Sequence, residues 1–314
     1  MILRFAIVCH SVVSDWNHGN AHFLRGVARA LRALGHRVRV HEPEAGWSRE
    51  QLREHEGELA VARLEAQCAD LEVATFRGTE LDVDAVFAAA DVVLVHEWTP
   101  PELVAAFGAR RSAHPHATLL FHDTHHRMVT APAEMARYDL SGYDGVLAFG
   151  RVLAELYRER GLTTRAFVWH EAADRTTFFP RPQTELLGDL VWIGNWGDDE
   201  RADELREFLI EPVAALGLRA TVHGVRWPAS AQRELAAAGI RYAGYLPNAA
   251  VPEVFAQHHL TVHVPRRPYA AALPGIPTIR PFEALACGIP LVSAPWQDAE
   301  HLFHIGRDHL QVQN

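Results

Sequence analysis

The densest group of chemically capable side chains in this 314-residue sequence is His122-Asp123-Thr124-His125-His126-Arg127. Imidazoles and a carboxylate in one run can shuttle protons, contact a substrate or hold a metal. A metal hydrolase built on His122, Asp123, His125 and His126 is one reading. The order does not form a His-x-His-x-Asp-His signature and no second ligand cluster accompanies it. No metal site is therefore expected. A histidine directed at substrate is preferred, with His125, His126 and Asp123 as catalytic candidates. A second group, His96-Glu97-Trp98, offers a carboxylate, an imidazole and an indole able to stack on a sugar ring. With Gly19, which precedes a helix and lets a ligand approach its free N–H groups, these three form the candidate contacts for a sugar or acceptor.

Two further stretches suit an anion. Gly194-Asn195-Trp196-Gly197-Asp198-Asp199-Glu200-Arg201 places a glycine loop beside an arginine that can grip phosphate with a bidentate fork. Its three acids would repel phosphate unless they face away. Gly275-Ile276-Pro277-Thr278-Ile279-Arg280-Pro281-Phe282-Glu283 runs from a Pro/Gly loop into a helix. The helix N-terminus suits a diphosphate, and Glu283 could accept the hydroxyls of a ribose.

The elements that carry these groups are legible as alternation. Apolar, β-branched runs at 3–9, 37–41, 92–96, 118–122, 145–149 and 164–168 read as strands. Phe23, Leu24, Val27, Ala28, Leu31 and Leu34 recur at helical spacing, and Gly35 then stops the helix. The stretch 50–70 reads as a second helix. After the proline-rich Phe178-Phe179-Pro180-Arg181-Pro182 the alternation restarts, with strands at 190–194, 219–223, 240–243, 260–264 and 290–293. Apolar strands each followed by a helix imply parallel sheets covered on both faces. The expectation is two Rossmann-like α/β domains, residues 1–178 and 179–314, facing across a cleft. Ligand-binding groups then belong just after strands, at the carboxyl edge of each sheet.

Composition narrows the partners. The formal net charge is −9, and nothing basic points to a nucleic acid. All 30 cationic residues are arginine, so an anion must be held by Arg, His or backbone N–H groups. The three cysteines show neither metal spacing nor a disulfide pattern. No G-x-G-x-x-G marks a dinucleotide, and no stretch reaches a membrane span of about 20 apolar residues. A soluble, cytoplasmic protein is expected.

Several segments together resemble the retaining glycosyltransferases of the two-Rossmann (GT-B) class, group 1, the glycogen-synthase-like superfamily, and in particular its spore-maturation-protein-type branch. Ala33-Leu34-Gly35-His36-Arg37-Val38-Arg39-Val40, Asp174-Arg175-Thr176-Thr177-Phe178-Phe179-Pro180, Leu190-Val191-Trp192-Ile193-Gly194-Asn195 and Arg280-Pro281-Phe282-Glu283-Ala284-Leu285-Ala286-Cys287-Gly288 resemble that class's signatures in order. The resemblance implies hexosyl transfer from a nucleoside diphosphate sugar to a sugar, small molecule or other acceptor, with retention and without a metal or cofactor. It places Glu283 on the donor ribose, the amides of Gly275 to Thr278 on the diphosphate or the sugar, and a histidine of 122–126 at the donor sugar. Many relatives carry a second Glu where this chain has Gly275, and many use a Lys on the diphosphate. Here Arg201, Arg266, Arg267 or Arg280 must take the place of that Lys. Relatives also continue with further C-terminal helices. A truncated donor domain, or a degenerate, non-catalytic carbohydrate- or partner-binding protein, is the alternative.

Overall fold

The computed structural model describes residues 1–182 and 185–312. The chain forms two compact units, Met1–Glu171 and Ala172–Asn314. The division falls ahead of the expected boundary at 178. Phe178 explains the difference: it is buried among Val191, Val251, Phe255 and Leu291 of the second unit, so the prolines follow the first core contact of that unit instead of preceding it.

The first unit is built on a seven-stranded sheet. Its strands are β1 (Arg4–Val8), β2 (Arg37–Pro43), β3 (Glu72–Phe76), β4 (Val92–His96), β5 (Thr118–Asp123), β6 (Gly145–Ala148) and β7 (Ala166–Val168), in the order β3-β2-β1-β4-β5-β6-β7. Every pairing is parallel. Val93, Val95, Leu119, Phe121 and Val146 are wholly buried, as strands covered on both faces require. The helix Ala21–Ala33 ends as expected, with Gly35 at φ +87° reversing the chain into β2.

The second unit repeats the plan with β8 (Gly188–Ile193), β9 (Ala220–His223), β10 (Arg241–Tyr242), β11 (His258–His263), β12 (Leu291–Ser293) and β13 (Leu310–Gln311), in the order β10-β9-β8-β11-β12-β13, again all parallel. Leu190, Trp192, Leu205, Leu209, Val222 and Leu235 fill one side of the sheet. Each sheet reverses its winding once, between β1 and β4 and between β8 and β11. At such a switch the connecting helices leave in opposite directions and open a crevice at the carboxyl ends of the strands.

Three local expectations change. The helix read over 50–70 is two helices, Trp47–Glu56 and Glu58–Gln67, because Gly57 adopts φ +81° and ψ 172°. β3 had no sequence signal, since an edge strand reading Glu-Val-Ala-Thr-Phe fully buries only Phe76. β13 is two residues long and was also not expected.

Candidate functional site

In the first unit, histidines crowd the β1/β4 switch. His10 follows β1, His96 ends β4, and His122 lies near the end of β5. The His10 and His18 rings are 4.0 Å apart, His10 and His96 5.8 Å, and His96 and His122 5.3 Å. Trp169 closes the row at 4.9 Å from His122. Burial, reinforced by Arg127, lowers His10 to about 4. Burial alone lowers His122 to about 3. Burial and the neighbouring imidazoles hold His18 and His96 well below the usual histidine range. The row is therefore uncharged at neutral pH.

Two carboxylates expected to face substrate do not. Glu97 and Asp123 are completely buried. Glu97 Oε1 accepts from the Thr124 N–H (3.0 Å) and hydroxyl (3.1 Å), and its Oε2 accepts from Arg127 (2.9 Å). Arg127 also donates to the Glu97 carbonyl at 2.8 Å, as does the Tyr138 hydroxyl at 2.6 Å. Asp123 accepts from the His125 N–H at 2.9 Å and the Tyr157 hydroxyl at 2.7 Å. Burial, then the charge of Asp123, pushes Glu97 well above the usual carboxylate range; burial alone raises Asp123. Together they brace the loops after β4 and β5, and Asn20 ties in the loop holding Gly19 through a 2.9 Å bond to Thr124. That brace presents what remains outside. Trp98 is 41% exposed, with the Arg127 guanidinium 4.0 Å from its ring and the His125 ring edge-on at 5.2 Å. His126, also expected to face substrate, is buried instead, its ring tilted against His125 at 4.0 Å and its Nδ1 fixed to Thr130. Among the described residues no three His, Cys, Asp or Glu side chains converge to hold a metal.

In the second unit, arginines occupy the corresponding switch. Gly194 and Asn195 follow β8, and Arg266 follows β11. Arg201 donates to the Asn195 carbonyl (2.7 Å), to Asn195 Oδ1 (3.0 Å) and to the Val264 carbonyl (3.1 Å). Arg266 donates to the same Asn195 Oδ1 at 3.0 Å and to Glu200 at 3.0 Å. One amide oxygen thus draws two guanidiniums together. Gly197, at φ +86°, makes room for them: a Cβ there would sit 3.1 Å from Arg201 Nε and 3.5 Å from Arg266 Nε. Burial, then Arg266 and Arg280, push Arg201 down to about 9, which still leaves it charged at neutral pH. Two acids of this loop face other partners, and the third balances Arg266. Asp198 pairs with Arg226, Asp199 accepts from the Trp196 indole, and Glu200 pairs with Arg266.

The expected loop 275–278 leads into the helix Ile279–Cys287. The side chains of Ile276 and Pro277 are buried, so these residues can offer a ligand only backbone. Thr278 adopts φ 61°, ψ −175°, a region that strains a β-branched residue. Glu283 is completely buried and its Oε2 is held by Arg280. Sequence reasoning named these residues but missed Asn195 Oδ1 as the joint of two guanidiniums; Asn195 and Arg266 are 71 positions apart. It also missed Tyr138 and Tyr157, for which no motif exists.

Residues 201–314 match the model of a family described as glycosyl transferase-like. That segment holds Arg201, Arg266, Arg280 and Glu283. No curated protein matches the sequence. Among solved structures, a glycosyltransferase from Rickettsia africae ESF-5 superposes with a TM-score of 0.64 at 11% identity, over 99% of this chain and 84% of its own. An α-glucosyltransferase in complex with UDP and a 13-mer DNA gives 0.62 at 12%, over 98% and 82%. AviGT4, a glycosyltransferase of avilamycin A biosynthesis, gives 0.60 at 15%, over 96% and 81%. The fold is GT-B. At these identities the likeness is one of architecture. No helix among the described residues is long and apolar enough to cross a membrane.

Proposed function

We propose that this protein is a glycosyltransferase that takes its sugar from a nucleoside diphosphate sugar. The observation that carries the reading is the convergence of Arg201 and Arg266 on Asn195 at the β8/β11 switch, with Arg280 close enough to depress Arg201 further. Glu200 and Glu283 balance Arg266 and Arg280, which leaves the charge of Arg201 for an anion, and two adjacent phosphates match the fork geometry of the guanidiniums. Glu283 accepts the ribose hydroxyls, steadied by Arg280. As the sugar–phosphate bond breaks, charge develops on the diphosphate, and fixed guanidiniums stabilise it without reorganising. This chemistry needs no divalent cation and no cofactor, and the family resemblance supports retention of configuration and a hexose as the transferred group. In the first unit, Trp98 and His125 take the sugar or acceptor, while His126, Asp123 and Glu97 position them. The acidic balance does not decide the acceptor class, since a protein of this fold carries DNA in its solved structure.

A thermal-shift screen with UDP, GDP, ADP and their glucose conjugates tests the reading. At a hundredfold excess over Kd, the matching nucleotide raises Tm by about 5 °C. Glu283→Gln largely removes that rise while the unliganded variant keeps its circular dichroism spectrum. No shift with any member of the panel would sink the proposal. Transfer that survives a chelator supports metal independence; its loss refutes that part.

A further inference from the structure

The glycine at position 275 is explained by a neighbour 25 positions away. A Cβ at Gly275 would lie 2.8 Å from Glu300 Cγ, 3.2 Å from Glu300 Oε1 and 3.4 Å from the Glu300 backbone nitrogen. The glycine, at φ +89°, therefore leaves the space that the Glu300 side chain fills. A second link joins the two segments: the Gly275 N–H donates to the Gln297 carbonyl at 2.7 Å.

Glu300 stands on a fixed turn. Asp298 accepts from the backbone N–H groups of Leu302 (3.1 Å) and Phe303 (2.8 Å). His301, next to Glu300, turns the chain at φ +55°. Phe303 packs at 5.3 Å on Phe282 of the helix Ile279–Cys287, beside the buried Glu283. The turn thus holds Glu300 over the loop that leads into the helix carrying Arg280 and Glu283.

A carboxylate so placed repels phosphate and accepts hydroxyl protons. The second unit then separates its tasks by charge. Guanidiniums lodged beside Gly197 suit the diphosphate; a carboxylate lodged beside Gly275 suits the uncharged, hydroxyl-rich part of the donor. We propose that Glu300 accepts hydrogen bonds from hydroxyls of the transferred sugar and sets which sugar is accepted, with Gly275 kept small to admit it. This rests on the reading of the protein as a nucleotide-sugar transferase and assigns the loop 275–278 to the sugar.

The test compares the full-length parent with Glu300→Gln and Gly275→Ala, using UDP, GDP, ADP and their glucose, galactose and mannose conjugates. Calorimetry gives Kd for the bare nucleotide; initial rates of donor consumption give kcat/KM for each sugar. Glu300→Gln keeps the shape of the turn. It leaves the Kd of the bare nucleotide within about twofold, lowers kcat/KM for the preferred conjugate by about 10- to 100-fold and narrows the preference among sugars. Gly275→Ala, which displaces the Glu300 side chain, reproduces the same pattern. Unchanged kcat/KM and sugar preference in Glu300→Gln would make Glu300 a brace of the turn and overturn the proposal. Bare-nucleotide binding tightened about tenfold with preference unchanged would overturn it too, showing a competitor of phosphate. A parent that binds no nucleotide in the panel defeats the transferase reading and this inference with it, a result distinct from one in which nucleotide binding survives.

Discussion

The two sheets place their ligand-ready groups at the same topological point and fill it with opposite kinds of base. At the β1/β4 switch the first unit sets the half-buried His10 and the buried His18, His96 and His122 in a row that is uncharged at neutral pH. At the β8/β11 switch the second unit sets Arg201 and Arg266 around Asn195, and Arg201, lowered to about 9, is still charged at neutral pH. Under the proposed function, the architecture sets where ligand-ready groups stand, while side-chain chemistry separates their tasks. Permanent charge suits a diphosphate; neutral rings and an exposed indole suit a sugar or an uncharged acceptor.

The sharpest way to break this comparison is to exchange the cation without removing it. Arg201→Lys keeps a positive charge but cannot reach the Asn195 carbonyl, Asn195 Oδ1 and the Val264 carbonyl together. Loss of the fork weakens UDP, or whichever nucleotide the screen selects, by about 100-fold, read as Kd by titration calorimetry. The same exchange at Arg127 disturbs the loops braced by Glu97 and leaves the nucleotide Kd within about twofold. Equal losses at both positions would show that nucleotide binding does not belong to the second unit as proposed.

Acid probes the other side. Each imidazole in the row takes up a proton near pH 6.5 when the chain unfolds, but only near 4 (His10) or 3 (His122) when folded. The unfolded state then binds more protons through this window, so stability is full above pH 6.5 and falls as the pH drops toward 4. Between pH 6.5 and 5 a single such histidine costs about 2 kcal/mol. The groups facing the row are Arg25 and Arg127, which favour the neutral rings, and the Glu97–Asp123 pair, whose raised pKa values act in the opposite sense. Four histidines outweigh that one pair. His122→Phe tests the sign: its neighbours are the rings of Phe23, His96 and Trp169, and its Nε2 has no hydrogen-bond partner. Urea midpoints at pH 7.5 and 5.0 move closer together in the variant; an unchanged gap refutes the account.

Much of this was legible in the sequence, for reasons that also mark the limit. Strands buried on both faces print as unbroken apolar runs, so Val92–His96 was bounded correctly, whereas the half-exposed β3 left no trace. Contiguous motifs such as Gly194–Arg201 and Gly275–Glu283 could be named because each stays within one loop and helix. Contacts made by neighbouring strands could not. Arg266 reaches Asn195 because β11 pairs with β8, and Glu300 reaches Gly275 across the loop after β12. Direction was illegible as well. Glu97 follows β4 and Asp123 ends β5, where substrate-facing acids stand, yet both turn inward, because the groups around them supply hydroxyl, amide and guanidinium donors that outcompete solvent.

The loops that enter the helices show the smallest measurable difference between the units. In the first, Asn17 takes φ 49° ahead of the helix Ala21–Ala33, a conformation asparagine tolerates readily. In the second, Thr278 takes φ 61° and ψ −175° at the start of the helix Ile279–Cys287, where a β-branched residue is strained by roughly 1–3 kcal/mol. Strain retained at that point has a function if a bulkier residue there holds the Gly275–Thr278 backbone in place for the donor. Thr278→Gly relieves the strain against a glycine entropy cost of about 0.5–1 kcal/mol, so the variant gains about 1 kcal/mol in urea denaturation. It also loses several-fold in kcat/KM for the donor, because a freed loop must be ordered on binding. Asn17→Gly changes stability by less than about 0.5 kcal/mol, since the native asparagine is little strained. A Thr278→Gly variant that is more stable and equally active would mean that the strain serves packing alone, and that the loop owes its shape to Glu300 and Gln297 instead.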